Sequence, residues 1–203
     1  MPVIQVIINL FTVILFLLLI ILIFILCFYS FFCLFQIYLF IRKDTIPFLS
    51  TSSREVNQNL KKIFSKYLDA EPDTQKPAFV ELGCGLANIL GWVQKNQSSY
   101  FREFIGVDID YSIIACAKLW NFLKRQKVSL KRHNIFEYDI PKNSVLYCYL
   151  GTNIMDMLYK QGKLKGFLVI STTFAITEAE ADQKFKLSNF YNSLYVYDFR
   201  SQA

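Results

Sequence analysis

Histidine is almost missing from this chain. His133 is the only one, in a stretch that reads as a strand end, which argues against Ser-His-Asp and Cys-His mechanisms. Cysteine is present but unpatterned. The five, at 27, 33, 84, 116 and 148, form no CxxC pair and no paired framework. That argues against a zinc site and a disulfide scaffold, and no metal is expected. Glycine is scarce, with seven residues in 203, so two within three positions at Gly83-Cys84-Gly85 stand out. Charge of either sign is wholly absent from Val3 to Ile41. Elsewhere the net +6 is spread among acids, with no run of five or six like charges. A nucleic-acid arm is therefore not supported, and the positive balance serves solubility and attraction to anionic lipid. The many Phe and Tyr accompany abundant Ile, Lys and Asn, a compositional bias and no sign of base-stacking platforms.

What fills the uncharged stretch is membrane-like. Leu10 to Tyr29 is interrupted only by Thr12, and twenty such residues make about 30 Å of helix, one hydrocarbon thickness. Ser30 to Ile41 stays apolar but carries Gln36 and several Phe and Tyr, residues suited to the headgroup boundary. A cleaved leader needs a basic start, a shorter apolar stretch and a small-residue cleavage site, and none is present. No Gly, Pro or charged turn divides the run, so one tilted helix is expected and not a hairpin. Arg42, Lys43, Arg54, Lys61 and Lys62 all follow it. The positive-inside bias then places the N-terminus outside and the rest in the cytoplasm. Residues 1–43 are thus expected to be a single-pass anchor and 44–203 one soluble domain of about 160 residues.

Past the anchor, Pro47 to Ser53 is a turn-rich lead-in ending in helix-capping residues. Apolar residues at 56, 60, 63, 64, 67 and 68 form one helical stripe, and two prolines mark a loop between 69 and 77. Strands are expected at 78–82, 104–107, 128–132, 145–150 and 166–172, with helices at 87–94 and 112–123. The tail from Phe185 to Phe199 alternates around Tyr191-Asn192-Ser193, an antiparallel hairpin. Strands alternating with helices predict an α/β fold with a mostly parallel sheet, whose ligands bind beyond the C-terminal strand ends. Residues 81 to 86, 108 and 134 would all lie there.

The chemistry of that rim can be read from three features. Bare backbone at Gly83 and Gly85 ends one strand, and a carboxylate, Asp108, ends the next about 20 residues on, where ribose hydroxyls need an acceptor. The third glycine of a dinucleotide turn is missing, because Asn88 stands there. Glu81, two residues before the first glycine, would repel a pyrophosphate and favour a cationic ligand. S-adenosylmethionine, with its ammonium and sulfonium, suits these charges better than NAD.

Glu81-Leu-Gly83-Cys-Gly85-Leu-Ala87 and Gly106-Val-Asp108-Ile109 resemble the first two motifs of class I S-adenosylmethionine-dependent methyltransferases. The resemblance implies a Rossmann-like sheet. In it Asp108 would bond the ribose, Ile109 would pack on adenine, and the loop Asn134-Ile135 would face the adenine amine. A narrower resemblance covers most of the chain. An apolar helix, a Pro-aromatic-aliphatic-x-Ser/Thr lead-in and Tyr149-Leu150-Gly151 are similar to the membrane-anchored lysine methyltransferases related to the enzyme acting on the ATP synthase c-subunit. It implies that Pro47, Phe48, Ser50 and Thr51 fold over the cosubstrate. This chain departs from that family at Ser50, where a second proline is usual. It departs again at Glu81 to Asn88, where the family favours Asp-x-Gly-Ser-Gly-Asp-Gly-Arg. Tyr149 and Thr152, with Thr172 and Thr173 further on, are where acceptor contacts are expected, beside the competing reading of packing or capping. The acceptor is expected to be a lysine of a membrane-associated protein; a lipid or quinone headgroup and a non-catalytic module remain as alternatives.

Overall fold

The computed structural model describes residues 2–43, 54–69, 75–188 and 193–202, with side chains of the first helix described from 9 to 34. The lead-in residues Pro47, Phe48, Ser50 and Thr51 lie outside them. The chain divides into two compact units, Met1–Phe48 and Leu49–Ala203.

The first unit is one unbroken helix, α1 (Pro2–Lys43). Its stretch Asn9–Leu34 is long and apolar enough to cross a bilayer, and none of it is buried in protein. Apolar on every side, it has no polar face to offer water, and leaving such surface in water is costly.

In the second unit, α2 (Arg54–Leu68) buries Val56, Leu60, Ile63, Phe64 and Leu68, the stripe expected from their spacing. Each such side chain contributes about 1.5–3 kcal/mol when removed from water. Seven strands follow: β1 (Ala78–Leu82), β2 (Glu103–Asp108), β3 (Ser129–Arg132), β4 (Ser144–Cys148), β5 (Leu168–Thr172), β6 (Gln183–Lys186) and β7 (Ser193–Asp198). They form one sheet in the order β3-β2-β1-β4-β5-β7-β6. The first five are parallel, while β7 runs antiparallel to both β5 and β6. This is the mostly parallel Rossmann-like sheet with a C-terminal antiparallel hairpin that the sequence predicts.

Helices α3 (Asn88–Asn96) and α4 (Tyr111–Leu123) join α2 on one face, packed with Phe79, Val145, Tyr147 and Ile170. Helix α5 (Thr152–Lys160) and the loops at Tyr138, Leu164 and Ile176 cover the other, over Val80, Leu82, Val107, Leu146 and Val169. The fully buried β1, β4 and β5 are near-continuous apolar runs, as strands covered on both faces must be. Strand order reverses between β1 and β4, so the crevice at their C-terminal ends is where such sheets take ligands.

Candidate functional site

Three loops meet at that crevice, and the first turns on glycine. Gly83 has φ +69°, and a Cβ there would stand 2.6 Å from Leu150 Cδ2. Gly85 follows with φ +53°. Both positions need the left-handed freedom that glycine has. The amides of Gly83 and Cys84 both donate to the Val107 carbonyl, at 2.8 and 3.0 Å, which pins the turn to the end of β2. Gly106 completes the seat. A Cβ on it would meet Leu130 Cδ2 at 2.7 Å and Cys84 Sγ at 2.9 Å. The buried Cys84 side chain fills that space, and burial pushes its thiol far above the ordinary range, so it is filler and no nucleophile.

Asp108 closes the loop pair. Its Oδ2 accepts from the Gly85 amide at 2.9 Å and its Oδ1 from the Asp110 amide at 3.0 Å. A carboxylate has about four lone-pair sites, so each oxygen keeps capacity for a ribose hydroxyl. The side chain is partly exposed, and Ile109 beside it is 61% exposed. Asp110 then caps α4, accepting from the Ile113 amide at 3.0 Å.

Glu81 has a role that its spacing did not announce. It is buried, and its Oε2 accepts from the Leu90 amide at 3.0 Å, in the first turn of α3. That helix starts at Ala87, whose side chain makes no cap. A carboxylate from β1 therefore satisfies the amide that a local Ser or Asp would normally hold, and it lies near the positive end of the helix dipole. Burial nevertheless raises the Glu81 carboxyl to about 8, opposed by the Leu90 amide and reinforced by the Asp108 charge. Glu81 pairs in register with Gly106, placing it on the sheet face that Asp108 also occupies, two residues further along β2. The two carboxylates flank one turn.

The remaining expected positions spread along the same rim. Asn134 follows β3, and its Oδ1 accepts from the Phe136 amide at 3.2 Å while its Nδ2 donates to Glu137 at 3.1 Å. Part of its hydrogen-bonding capacity is thus spent on shaping its own turn. Ile135 is half-buried and packs against the core. Tyr149 follows β4, half-buried, with its ring centroid 5.5 Å from that of Phe174. Thr152 is the first residue of α5, after Gly151 at the N-cap. Thr172 is buried, and its hydroxyl is 2.8 Å from the Tyr147 hydroxyl, a polar contact inside the sheet that sequence reading missed. Tyr147 lies in register beside Glu81, so the alternation of β4 was the available signal. Thr173 has φ +72°, strained for a β-branched residue, and its hydroxyl is buried with no hydrogen-bond partner. Among the described residues no group of three or more His, Cys, Asp or Glu side chains could hold a metal.

Sheet order, antiparallel last pair and rim loops together define the fold of class I S-adenosylmethionine-dependent methyltransferases. No protein-family profile and no curated protein sequence matches the chain. Solved structures do. An RNA methyltransferase from Salinibacter ruber, in complex with S-adenosyl-L-homocysteine, matches with a TM-score of 0.60 at 17% identity, over 74% of this chain and 94% of that one. A ribosomal protein L11 methylase from Lactobacillus delbrueckii subsp. bulgaricus matches at 0.51 and 12%, over 73% and 82%. M. capricolum TrmK, in complex with S-adenosyl-homocysteine, matches at 0.51 and 11%, over 72% and 67%. At these identities the likeness is one of fold.

Proposed function

We propose that this protein is an S-adenosylmethionine-dependent methyltransferase, held to a membrane by α1, that methylates a lysine of a membrane-associated protein. One observation carries the cosubstrate reading. Asp108 stands at the end of β2 with both oxygens oriented by backbone amides, one of them from the glycine turn. That arrangement fixes a carboxylate at the C-terminal end of β2, beside the glycine turn that ends β1, where a ribose is held in sheets of this kind. Glu81 on the same face, raised by burial to about 8, would be drawn toward its ionised form by a ligand with positive charge. Neighbours of the same fold crystallised with S-adenosyl-homocysteine are consistent with it.

The cosubstrate supplies a methyl group on a sulfonium, already activated for in-line displacement. What remains for the protein is to bind, orient and exclude water. Asp108 would hold the ribose, Ile109 and Ile135 would flank the adenine, and Gly83 and Gly85 would admit the methionine portion. A lysine acceptor needs to lose its proton before attack, and water suffices to take it, so no catalytic dyad is required. Tyr149, Thr152 and Thr173 would contact the acceptor. The lead-in at Pro47, Ser50 and Thr51 belongs to the proposal on sequence grounds alone. With Arg42 and Lys43 following α1, the enzyme domain would lie on the cytoplasmic side.

The test is calorimetric titration of the full chain in detergent with S-adenosyl-homocysteine. Binding is expected, and Asp108→Ala weakens it by about 1–3 kcal/mol through loss of a charged acceptor. Absence of heat at high micromolar ligand overturns the reading. Tritiated methyl transfer into membranes, followed by protease digestion, identifies the acceptor class: label that stays in the organic phase rejects the protein substrate.

A further inference from the structure

Helix α4 is apolar on the side that faces water. Its inner stripe, Ile114, Ala117 and Asn121, is buried against the sheet. Its outward arc carries Leu119, Trp120, Phe122 and Leu123, with exposures of 62%, 44%, 76% and 66%. No charged residue falls within that arc. Lys118 and Lys124 border it on opposite sides, and the Lys124 ammonium lies 4.1 Å from the Trp120 ring centroid. A helix of a soluble domain ordinarily turns a polar face outward; one apolar all round lies in a core or against lipid.

Charge says which covering fits. Residues 111–136 hold six cations, Lys118, Lys124, Arg125, Lys127, Lys131 and Arg132, and no acid. The whole chain carries 22 cations and 16 acids, so the 16 cations elsewhere match the acids and the net +6 resides in this one stretch. It occupies α4, β3 and their joining loop, at the edge of the sheet. An apolar wedge of Leu, Trp and Phe, rimmed by long cationic side chains, is the composition of an interfacial helix on an anionic bilayer. The lysine stems can lie along apolar surface while their ammonium groups reach phosphate. The same chain carries, in α1, a helix able to cross a bilayer, which would keep this face at high effective concentration near lipid.

We propose that the outward face of α4 is a second membrane contact, lying on anionic lipid with Leu119, Trp120, Phe122 and Leu123 below the headgroups and Lys118 and Lys124 among them. The proposal shares the membrane reading of α1 and is independent of methyl transfer. Trp92 and Trp120 are the only two indoles, so Trp92→Phe leaves Trp120 as the reporter. The full chain carrying that change is incorporated into nanodiscs of phosphatidylcholine, with or without phosphatidylglycerol, and incorporation is measured separately by co-elution. In anionic discs Trp120 emission is expected to shift to the blue and to be largely quenched by acyl-brominated lipid, and less so in zwitterionic discs. Adding Phe122→Ser and Leu123→Ser, both at exposed positions, should remove the quenching while incorporation persists. A chain that co-elutes with anionic discs but shows no bromine quenching overturns the proposal. So does quenching that survives the double serine change, or an indole that responds to an RNA oligonucleotide and not to lipid. Failure to co-elute would instead count against α1 as an anchor. The Trp92→Phe/Trp120→Phe chain supplies the fluorescence blank.

Discussion

Glu81 is a residue whose type was legible and whose task was not. Spacing ahead of the glycine turn marked it as an acid suited to a cationic ligand, yet its carboxylate also caps α3 from a neighbouring strand. Its carboxyl is raised to about 8, first by burial, whereas in the unfolded chain it titrates near 4.3. Between those values the folded state holds a proton that the unfolded chain has released, so this group makes stability fall as pH rises through the window. Unfolding midpoints measured from pH 5 to about 8 are expected to decline less steeply in Glu81→Gln, which keeps an acceptor for Leu90 but cannot ionise. A slope unchanged by the substitution would mean that the buried carboxyl does not carry it. Ala87 shows the reverse case. It takes φ +57° at the start of α3, a left-handed conformation that suits glycine better than alanine. An alanine in the left-handed region costs about 1 kcal/mol, so Ala87→Gly should raise stability by about that amount in a denaturant titration. Thr173, strained and with an unpartnered hydroxyl, is the further position at this rim where the backbone is held away from its preference.

At the scale of elements, the expected strands β1, β2, β3 and β5 and the helices α2, α3 and α4 are all present, while one short helix was not foreseen. The stripe of α2 was visible because its five buried side chains share one period, and β1 because a short apolar run ends at the glycine turn. Helix α5 was not anticipated: it has nine residues, of which only Met155 and Leu158 are buried, too few for a stripe to show. Thr152, expected after a strand as an acceptor contact or else a packing or capping residue, is the first residue of this helix. The expected strand through Leu150 ends at Cys148, since Tyr149 to Gly151 form the rim loop. Expected hairpin residues Tyr191 and Asn192 lie outside the described residues, and Ser193 already belongs to β7. For α1, composition is the argument, and the expected behaviour is retention in the membrane pellet after alkaline carbonate extraction. Replacing Leu18 and Ile21 by Arg places two charges near the helix centre at about 2.5–3.5 kcal/mol each on an insertion scale, and should move the protein to the supernatant. Retention of the double-Arg chain would show that something other than α1 holds it.

For the whole molecule, the sheet order brings together groups that lie far apart in sequence. Asp108 and Gly85 are 23 residues apart, and their hydrogen bond joins the turns after β1 and β2 into one cradle. A ligand that binds only this assembled cradle stabilises the entire second unit by mass action. At 100 times its dissociation constant, S-adenosyl-homocysteine should add about 2.7 kcal/mol of unfolding free energy. Thermal unfolding followed by circular dichroism checks it, and an unmoved midpoint at saturating ligand would contradict the proposed site.

By itself the sequence determined the α/β alternation, the apolar helix, the bare glycine turn and the acid that ends β2. Periodicity, chain stiffness and the freedom of glycine are properties of a few adjacent residues, and they survive without any partner. Only the tertiary structure decided that Glu81 caps a helix it does not belong to, that Cys84 needs the space left by Gly106, and that α4 turns its apolar arc outward. Each of those depends on which surfaces meet, and a contact between distant segments leaves no local period to read. The charge of residues 111–136 falls between the two. It was countable from the start, but its cations form no unbroken run, and its meaning came from the helix and edge strand that carry them at one edge of the sheet.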